Sequence, residues 1–306
     1  MAHPTLEDVA ARAGVSRALV SLVMRGSPKV GPERREAVLR AARELGYRPN
    51  MMARGLASGR TGMIGVLLSD LHDPWFAAVH DGLADEAARR GVRLLLATGR
   101  GGPARERAAL DDLLDLRPDG VVLAGPKTSA ADIERAAAGC PVTVVGRQVR
   151  SDRVDCVTGD GAAAVERALG YLSDLGHRRV ACLDVGPRPS PLRRACPDGA
   201  VVAGPDELWR PAEAPTAVLA LGDTTGTAAL TALLRAGRRV PEEISLIVHG
   251  DPPGARDAGV TTVASPPAEL GREAAAVLLD RIGDGASART RRITVPPLLT
   301  ERGTTR

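Results

Sequence analysis

Within the stretch Arg17-Ala-Leu-Val-Ser-Leu-Val-Met24, the side chains of Arg17, Ala18, Ser21 and Leu22 fall on one side. An arginine can donate two parallel hydrogen bonds to the edge of guanine, a serine can bond several base edges, and alanine or leucine can meet a thymine methyl. These are groups for reading base pairs. They need an element that presents them together, and the flanking residues supply one. Thr5 and Ser16 each precede a short apolar-periodic run, where a hydroxyl accepts from free backbone donors at a helix start. Gly14 supplies the permissive backbone for a sharp turn between the two runs. Two short helices joined by such a turn form a helix-turn-helix. Three- and four-residue spacing turns Val9, Ala10, Val15, Val20, Val23 and Met24 inward against Val38, Leu39, Ala42 and Leu45 of a third helix. The alternative for the motif alone is an ordinary three-helix bundle with a solvated arginine face.

Charge favours the first reading. Up to Arg60 the chain carries eleven basic residues against five acidic ones, a net of +6, whereas the whole 306-residue chain is only +4. A basic head on a slightly acidic body is the asymmetry expected when one domain meets phosphate and the other does not.

The surrounding sequence closely resembles the lactose-repressor (LacI/GalR) family of bacterial transcription regulators. The resemblance rests on Thr5 to Val23, Val30-Gly-Pro-Glu33, Glu44-Leu-Gly-Tyr-Arg-Pro-Asn50, Met52-Ala-Arg-Gly-Leu-Ala-Ser-Gly-Arg-Thr61 and Ile64-Gly-Val66. It continues more weakly through Asp73-Pro-Trp-Phe76, Asp119-Gly-Val-Val122, Leu175-Gly-His-Arg-Arg-Val180, Pro215-Thr-Ala-Val218 and Val240-Pro-Glu-Glu-Ile-Ser245. It implies an α/β chain in three parts: a DNA-binding head over 1–49, a hinge helix and linker over 50–62, and a regulatory body over 63–306. The body is expected as two doubly wound subdomains of the periplasmic-binding-protein type with an effector cleft between them. The implied function is a repressor that binds a palindromic operator in double-stranded DNA as a homodimer, under control of a small effector such as a sugar.

The same resemblance places DNA contacts at Thr5, Leu6, Ser16, Arg17, Ala18, Ser21, Leu22, Arg25, Lys29, Arg34, Asn50, Ala53 and Leu56. Leu56 matches the family's apolar wedge, which enters the minor groove when two hinge helices meet. A plain flexible linker is the other reading of Ser58-Gly-Arg-Thr-Gly62. The head departs from the usual Ala-Thr-Val-Ser-Arg-Val, since Ala18-Leu-Val-Ser-Leu-Val23 lacks both the Thr and the Arg. Base reading therefore shifts toward Arg17, apolar contacts or the hinge. Arg25, Lys29 and Arg34 stand where short polar residues are common and suit phosphate contacts.

In the body, short apolar runs alternate with Ala-, Leu- and Arg-rich helical stretches, an α/β signature. Strands are expected at 64–68, 93–97, 120–123, 142–145, 180–183, 218–221 and 246–248. Helices are expected at 75–90, 104–116, 131–138, 162–175, 225–236 and 268–281. The segment from Arg188 to Ala214 is dense in proline, which argues against long helices. It is expected to keep one strand near 200–203 and to shorten the C-terminal subdomain by at least one helix. By resemblance the effector site falls on Asp73, Trp75, Phe76, Arg147, Asp160, Asp223 and Asp251, although Trp75-Phe76 also suits a core anchor for the helix that follows. Gly222-Asp223 and His249-Gly-Asp251 alter two positions where the family usually places ligand-binding groups. Weakened effector control, or a body that only dimerises or binds a protein, is therefore the second reading.

Gly159-Asp-Gly-Ala-Ala-Ala164, with Asp184 about twenty residues on, fits a loose dinucleotide fingerprint. An NAD-dependent oxidoreductase is thus a remote alternative. The five histidines are scattered, and Cys140, Cys156, Cys182 and Cys196 have no metal or redox spacing. No enzyme, cofactor or metal is expected, and the cysteines are expected reduced and mainly buried. Without an apolar run of membrane-span length or an N-terminal leader, the chain is expected in the cytoplasm with no membrane partner.

Overall fold

The structure, a computed structural model, describes residues 4–24, 26–47, 60–100, 102–185, 190–209, 214–284 and 289–306. It divides between Thr61 and Gly62 into two compact units.

The first unit holds α1 (Leu6–Ala13), α2 (Arg17–Met24) and α3 (Pro32–Glu44). Thr5 begins α1 through a reciprocal cap: its hydroxyl accepts from the Asp8 amide while the Asp8 carboxylate accepts from the Thr5 amide at 2.7 Å. Gly14 ends the helix at φ +64°, where a side chain would strain the backbone. Ser16 caps α2, accepting from the Leu19 amide at 3.3 Å. Val9, Ala10, Val20, Val23, Val30, Val38, Ala41 and Ala42 form the core. Leu39 is a correction. It is 38% exposed, because on α3 the inward face runs Val38, Ala41, Ala42, Leu45 and leaves Leu39 a quarter-turn away. Val15, Met24 and Leu45 are half-buried at the edge of the same cluster.

The second unit contains two six-stranded sheets. The first has the order β11-β5-β4-β3-β1-β2 and is parallel throughout; its strands are β1 (Met63–Leu68), β2 (Arg93–Thr98), β3 (Val121–Ala124), β4 (Val142–Val145), β5 (Val154–Gly159) and β11 (Arg292–Val295). The second has the order β12-β10-β9-β8-β6-β7, built from β6 (Val180–Leu183), β7 (Val201–Val202), β8 (Ala217–Ala220), β9 (Ser245–His249), β10 (Thr261–Ala264) and β12 (Leu298–Thr300). Only β12 runs antiparallel to its neighbour. Strands β1, β3 and β4 are buried along their whole length, as expected of parallel strands covered by helices on both faces.

Helices α4 (Pro74–Arg89) and α10 (Pro267–Asp284) cover one face of the first sheet, and α5 (Pro103–Asp115) and α6 (Ala130–Gly139) the other. On the second sheet, α7 (Gly161–Asp174) packs on one face and α8 (Asp223–Arg235) with the short α9 (Pro253–Asp257) on the other. The chain therefore crosses between subdomains three times, after Gly159, Ala264 and Val295. Between β6 and β8 the described residues form only two 3-10 turns, Pro191–Ala195 and Pro205–Trp209, around the two-residue strand β7. Among the described residues no helix is long and apolar enough to cross a membrane.

Candidate nucleic-acid interface and ligand cleft

On the first unit, Arg17 opens α2 with a side chain 67% exposed, and its Nε lies 3.0 Å from the Glu7 carboxylate of α1. Ala18, Lys29 and Arg34 are also exposed. The sequence expectation for Leu22 needs correction. Leu22 is half-buried against the head core, so only part of it remains to touch a base. Ser21 and Leu6 are likewise half-buried, and the hydroxyls of Thr5 and Ser16 are engaged as helix caps. Arg25, Asn50, Ala53 and Leu56 lie outside the described residues.

In the second unit a cleft of about 880 Å³ opens at the C-terminal ends of the parallel strands, between the two sheets. Ligands of open α/β sheets bind at this edge. Trp75, Asp73, Arg147, Asp223 and Asp251 line it, and so do His249 and Leu192. Asp73 caps α4, accepting from the Trp75 amide at 2.9 Å, and so fixes where the indole emerges. The Arg147 guanidinium donates from Nη1 to the carbonyls of Pro126 (3.1 Å) and Thr128 (2.7 Å). That loop is held from beneath by Glu106, fully buried, whose carboxylate accepts from the Lys127 and Thr128 amides at 2.6 and 2.8 Å and from the Ser69 hydroxyl.

Two expected cleft residues do other work. Phe76 is 8% exposed, belongs to the core beneath α4 and α10, and meets Trp75 edge to face with ring centroids 4.9 Å apart. Successive helical residues point about 100° apart, so only one of the adjacent aromatics can face the cleft. The Asp160 carboxylate turns onto α7 as its cap, accepting from the Ala163 amide at 3.0 Å, and does not line the cleft.

The opposite wall carries the electrostatic load. One Asp223 carboxylate oxygen is buried without a hydrogen-bond partner. Burial, with the nearby charges of Asp73 and Asp251, pushes this carboxyl up to about 6. Gly250, at φ +123°, sits directly against it: a Cβ there would come within 1.7 Å of Asp223 Oδ1. Asp251 is tied back, its Oδ1 accepting from Thr262 Oγ1 and Arg302 Nη2, each at 2.9 Å. Burial lowers the pKa of His249. Arg193 is held by Asp184, which accepts from its Nε and from the Ser190 amide at 2.8 Å.

Leu192 was missed in the sequence, and His249 stood there only within an altered ligand-binding stretch. His249 could have been found as the last residue of β9, at the sheet edge where ligands bind. Leu192 gave no such signal. The glycines of the apparent dinucleotide loop have a packing role, since a Cβ on Gly159 would come within 2.7 Å of the Ser265 hydroxyl and one on Gly161 within 2.4 Å of Leu192. With Asp160 already on the helix start, a pyrophosphate there would meet a carboxylate. His177, half-buried, bonds Thr216 Oγ1 at 3.0 Å and Ser245 Oγ at 2.9 Å, a structural tie. All four cysteines are free; Cys156 and Cys182 are buried, Cys140 and Cys196 half-buried.

Three family models match the chain. Bacterial regulatory proteins of the lacI family cover residues 5–50, periplasmic binding proteins and sugar binding domain of LacI family cover 61–196, and a periplasmic binding protein-like domain covers 191–305. The HTH-type transcriptional regulator CelR of Thermobifida fusca is 35% identical over 92% of this chain and 92% of its own. The HTH-type transcriptional repressor CytR of Escherichia coli (strain K12) is 30% identical over 91% of this chain and 89% of its own. Among solved structures, a transcriptional regulator CelR-cellobiose complex aligns with a TM-score of 0.68 at 30% identity, covering 98% of this chain and 99% of that one. A lac repressor dimer bound to operator and an anti-inducer aligns with a TM-score of 0.83 at 23% identity, covering 99% of each chain, a likeness of fold.

Proposed function

The chain belongs to the lacI family of bacterial regulatory proteins, and on that premise we propose that it is a cytoplasmic, non-enzymatic repressor that binds a palindromic operator as a homodimer. The observation that carries the reading is the exposed Arg17 at the N-terminal end of the second helix of a capped helix-turn-helix, where such helices meet base edges. Lys29 and Arg34 supply phosphate contacts. The head takes residues 1–49, a hinge carrying Asn50, Ala53 and Leu56 takes 50–62, and the regulatory body takes 63–306. A dimer is supported by β2, a strand at the edge of its sheet whose Leu96 is 49% exposed. One short recognition helix reads too few bases alone, and two-fold symmetry repeats the half-site.

The cleft binds a small hydroxyl-rich effector. Its indole and converging carboxylates suit a sugar, whose faces are apolar and whose hydroxyls donate. The complex of the relative CelR with cellobiose supports a saccharide. Asp73, Trp75, Arg147, Asp223 and Asp251 are the groups that would hold it. A second reading, weak or absent effector control, is favoured by one specific observation: Asp160 and Arg193 are both turned away from the cleft into a helix cap and an ion pair. Calorimetry with sugars, sugar phosphates and nucleosides, followed by operator binding with each, separates the two. A micromolar sugar that changes operator affinity more than tenfold upholds the first, and silence across the panel upholds the second.

A further inference from the structure

The eight residues of α2 carry few groups able to hydrogen-bond a base edge. Arg17 has the only charge, Ser21 a half-buried hydroxyl, and the rest are Ala, Leu, Val and Met. Base reading through this helix rests on one long side chain. A free arginine at a helix start samples many rotamers, and binding must arrest them.

The structure gives Arg17 an ionic partner. Glu7, in the first turn of α1, approaches Arg17 through Nε, with Glu7 Oε1 at 3.0 Å. A carboxylate that meets the guanidinium at Nε takes it from the side, and the terminal nitrogens at its far end are the donors that can reach guanine O6 and N7 together. Both side chains stand largely in solvent, 67% and 62% exposed. Glu7 also sits on the element that Thr5 and Asp8 cap reciprocally, which fixes the start of α1. An acidic residue on a face that meets phosphate opposes affinity for every sequence alike. Its compensating use is selective: to aim Arg17.

We propose that Glu7 is a specificity-determining positioning residue of the DNA interface, which holds the Arg17 guanidinium by Nε so that its two terminal nitrogens read one guanine in each half-site. The proposal rests on the reading of the head as a DNA-binding domain. A surface ion pair in the free protein contributes little. At the DNA its effect is on discrimination: an Arg17 no longer held loses base preference at one position and nowhere else.

The test is selection of double-stranded DNA from a random pool by the full-length protein, run in parallel for wild type, Arg17→Ala, Glu7→Ala and Glu7→Asp. Wild type should enrich a half-site with guanine at one position, and Arg17→Ala should flatten that position. Glu7→Ala should flatten the same position roughly three- to tenfold while leaving the others intact. Glu7→Asp should restore part of the preference. Affinity for unrelated DNA should stay level or rise in Glu7→Ala, because a negative charge has gone. A Glu7→Ala protein with the wild-type half-site and a uniform change in affinity would overturn the proposal, leaving Glu7 a bystander charge. A wild-type protein that enriches no sequence would overturn the DNA-binding reading itself, and the proposal with it.

Discussion

The guanidinium of Arg281 grips the carboxylate of Asp155 in a two-pronged ion pair, with Arg281 7% exposed and Asp155 fully buried. It fastens α10, which enters the first subdomain late, to β5, laid down 126 residues earlier. The Arg291 amide adds a third bond to Asp155 at 2.6 Å just before β11. Removing one partner strands a buried charge. Arg281→Ala should therefore lower the stability of the body by about 3–5 kcal/mol in urea unfolding, whereas replacing both by Met and Leu should cost clearly less.

Asp223 should make stability depend on pH in a direction unusual for a carboxylate. Its native value is raised to about 6 from 3.8, so between these the native state keeps a proton that the unfolded chain has released. Its contribution is fully present below pH 3.8 and is lost as pH rises through about 6. After allowance for solvent screening at this partly exposed site, the loss should be about 1–2 kcal/mol. Unfolding of wild type and Asp223→Asn at pH 4.5 and 7.5 measures it: the difference in stability between the two proteins should change across that window in this sense.

Much of this arrangement was legible in the residues. The two doubly wound subdomains came from the family resemblance, and apolar periodicity placed the long helices within three residues of their ends. Strand β5, broken by Asp155, was not among those expected, and strands β10, β11 and β12 were not legible. Thr261–Ala264 is half threonine, and Arg292–Val295 and Leu298–Thr300 flank a proline pair, so none carries an apolar run. The three crossings between sheets are tertiary facts without a local signature. At the cleft, residue type alone could not say that Phe76 and Asp160 would serve the core and a helix start, because both uses suit the same residues.

That division of labour predicts a contrast between the adjacent aromatics. Phe76→Ala should cost about 3–5 kcal/mol of stability by opening a cavity beneath α4. Trp75→Ala, on the cleft wall, should cost less stability and instead weaken effector binding at least tenfold by calorimetry.

Asp160 provides a second contrast. Asp160→Ala should lose a helix cap, about 1 kcal/mol in unfolding, and leave effector affinity within about twofold of wild type. Asp223→Ala should do the reverse. An Asp160→Ala protein that is as stable as wild type but blind to its effector would return Asp160 to the ligand site.

The central claim is that the basic head reads DNA as one of a symmetric pair. Selecting bound duplexes from a random pool, then titrating the best one by anisotropy between 50 and 200 mM salt, tests it most directly. The account predicts a near-palindromic site bound by two chains, with affinity falling by about 10³ or more over that range as phosphate contacts are screened. An asymmetric site bound by one chain, or an affinity that salt leaves unchanged, would contradict it.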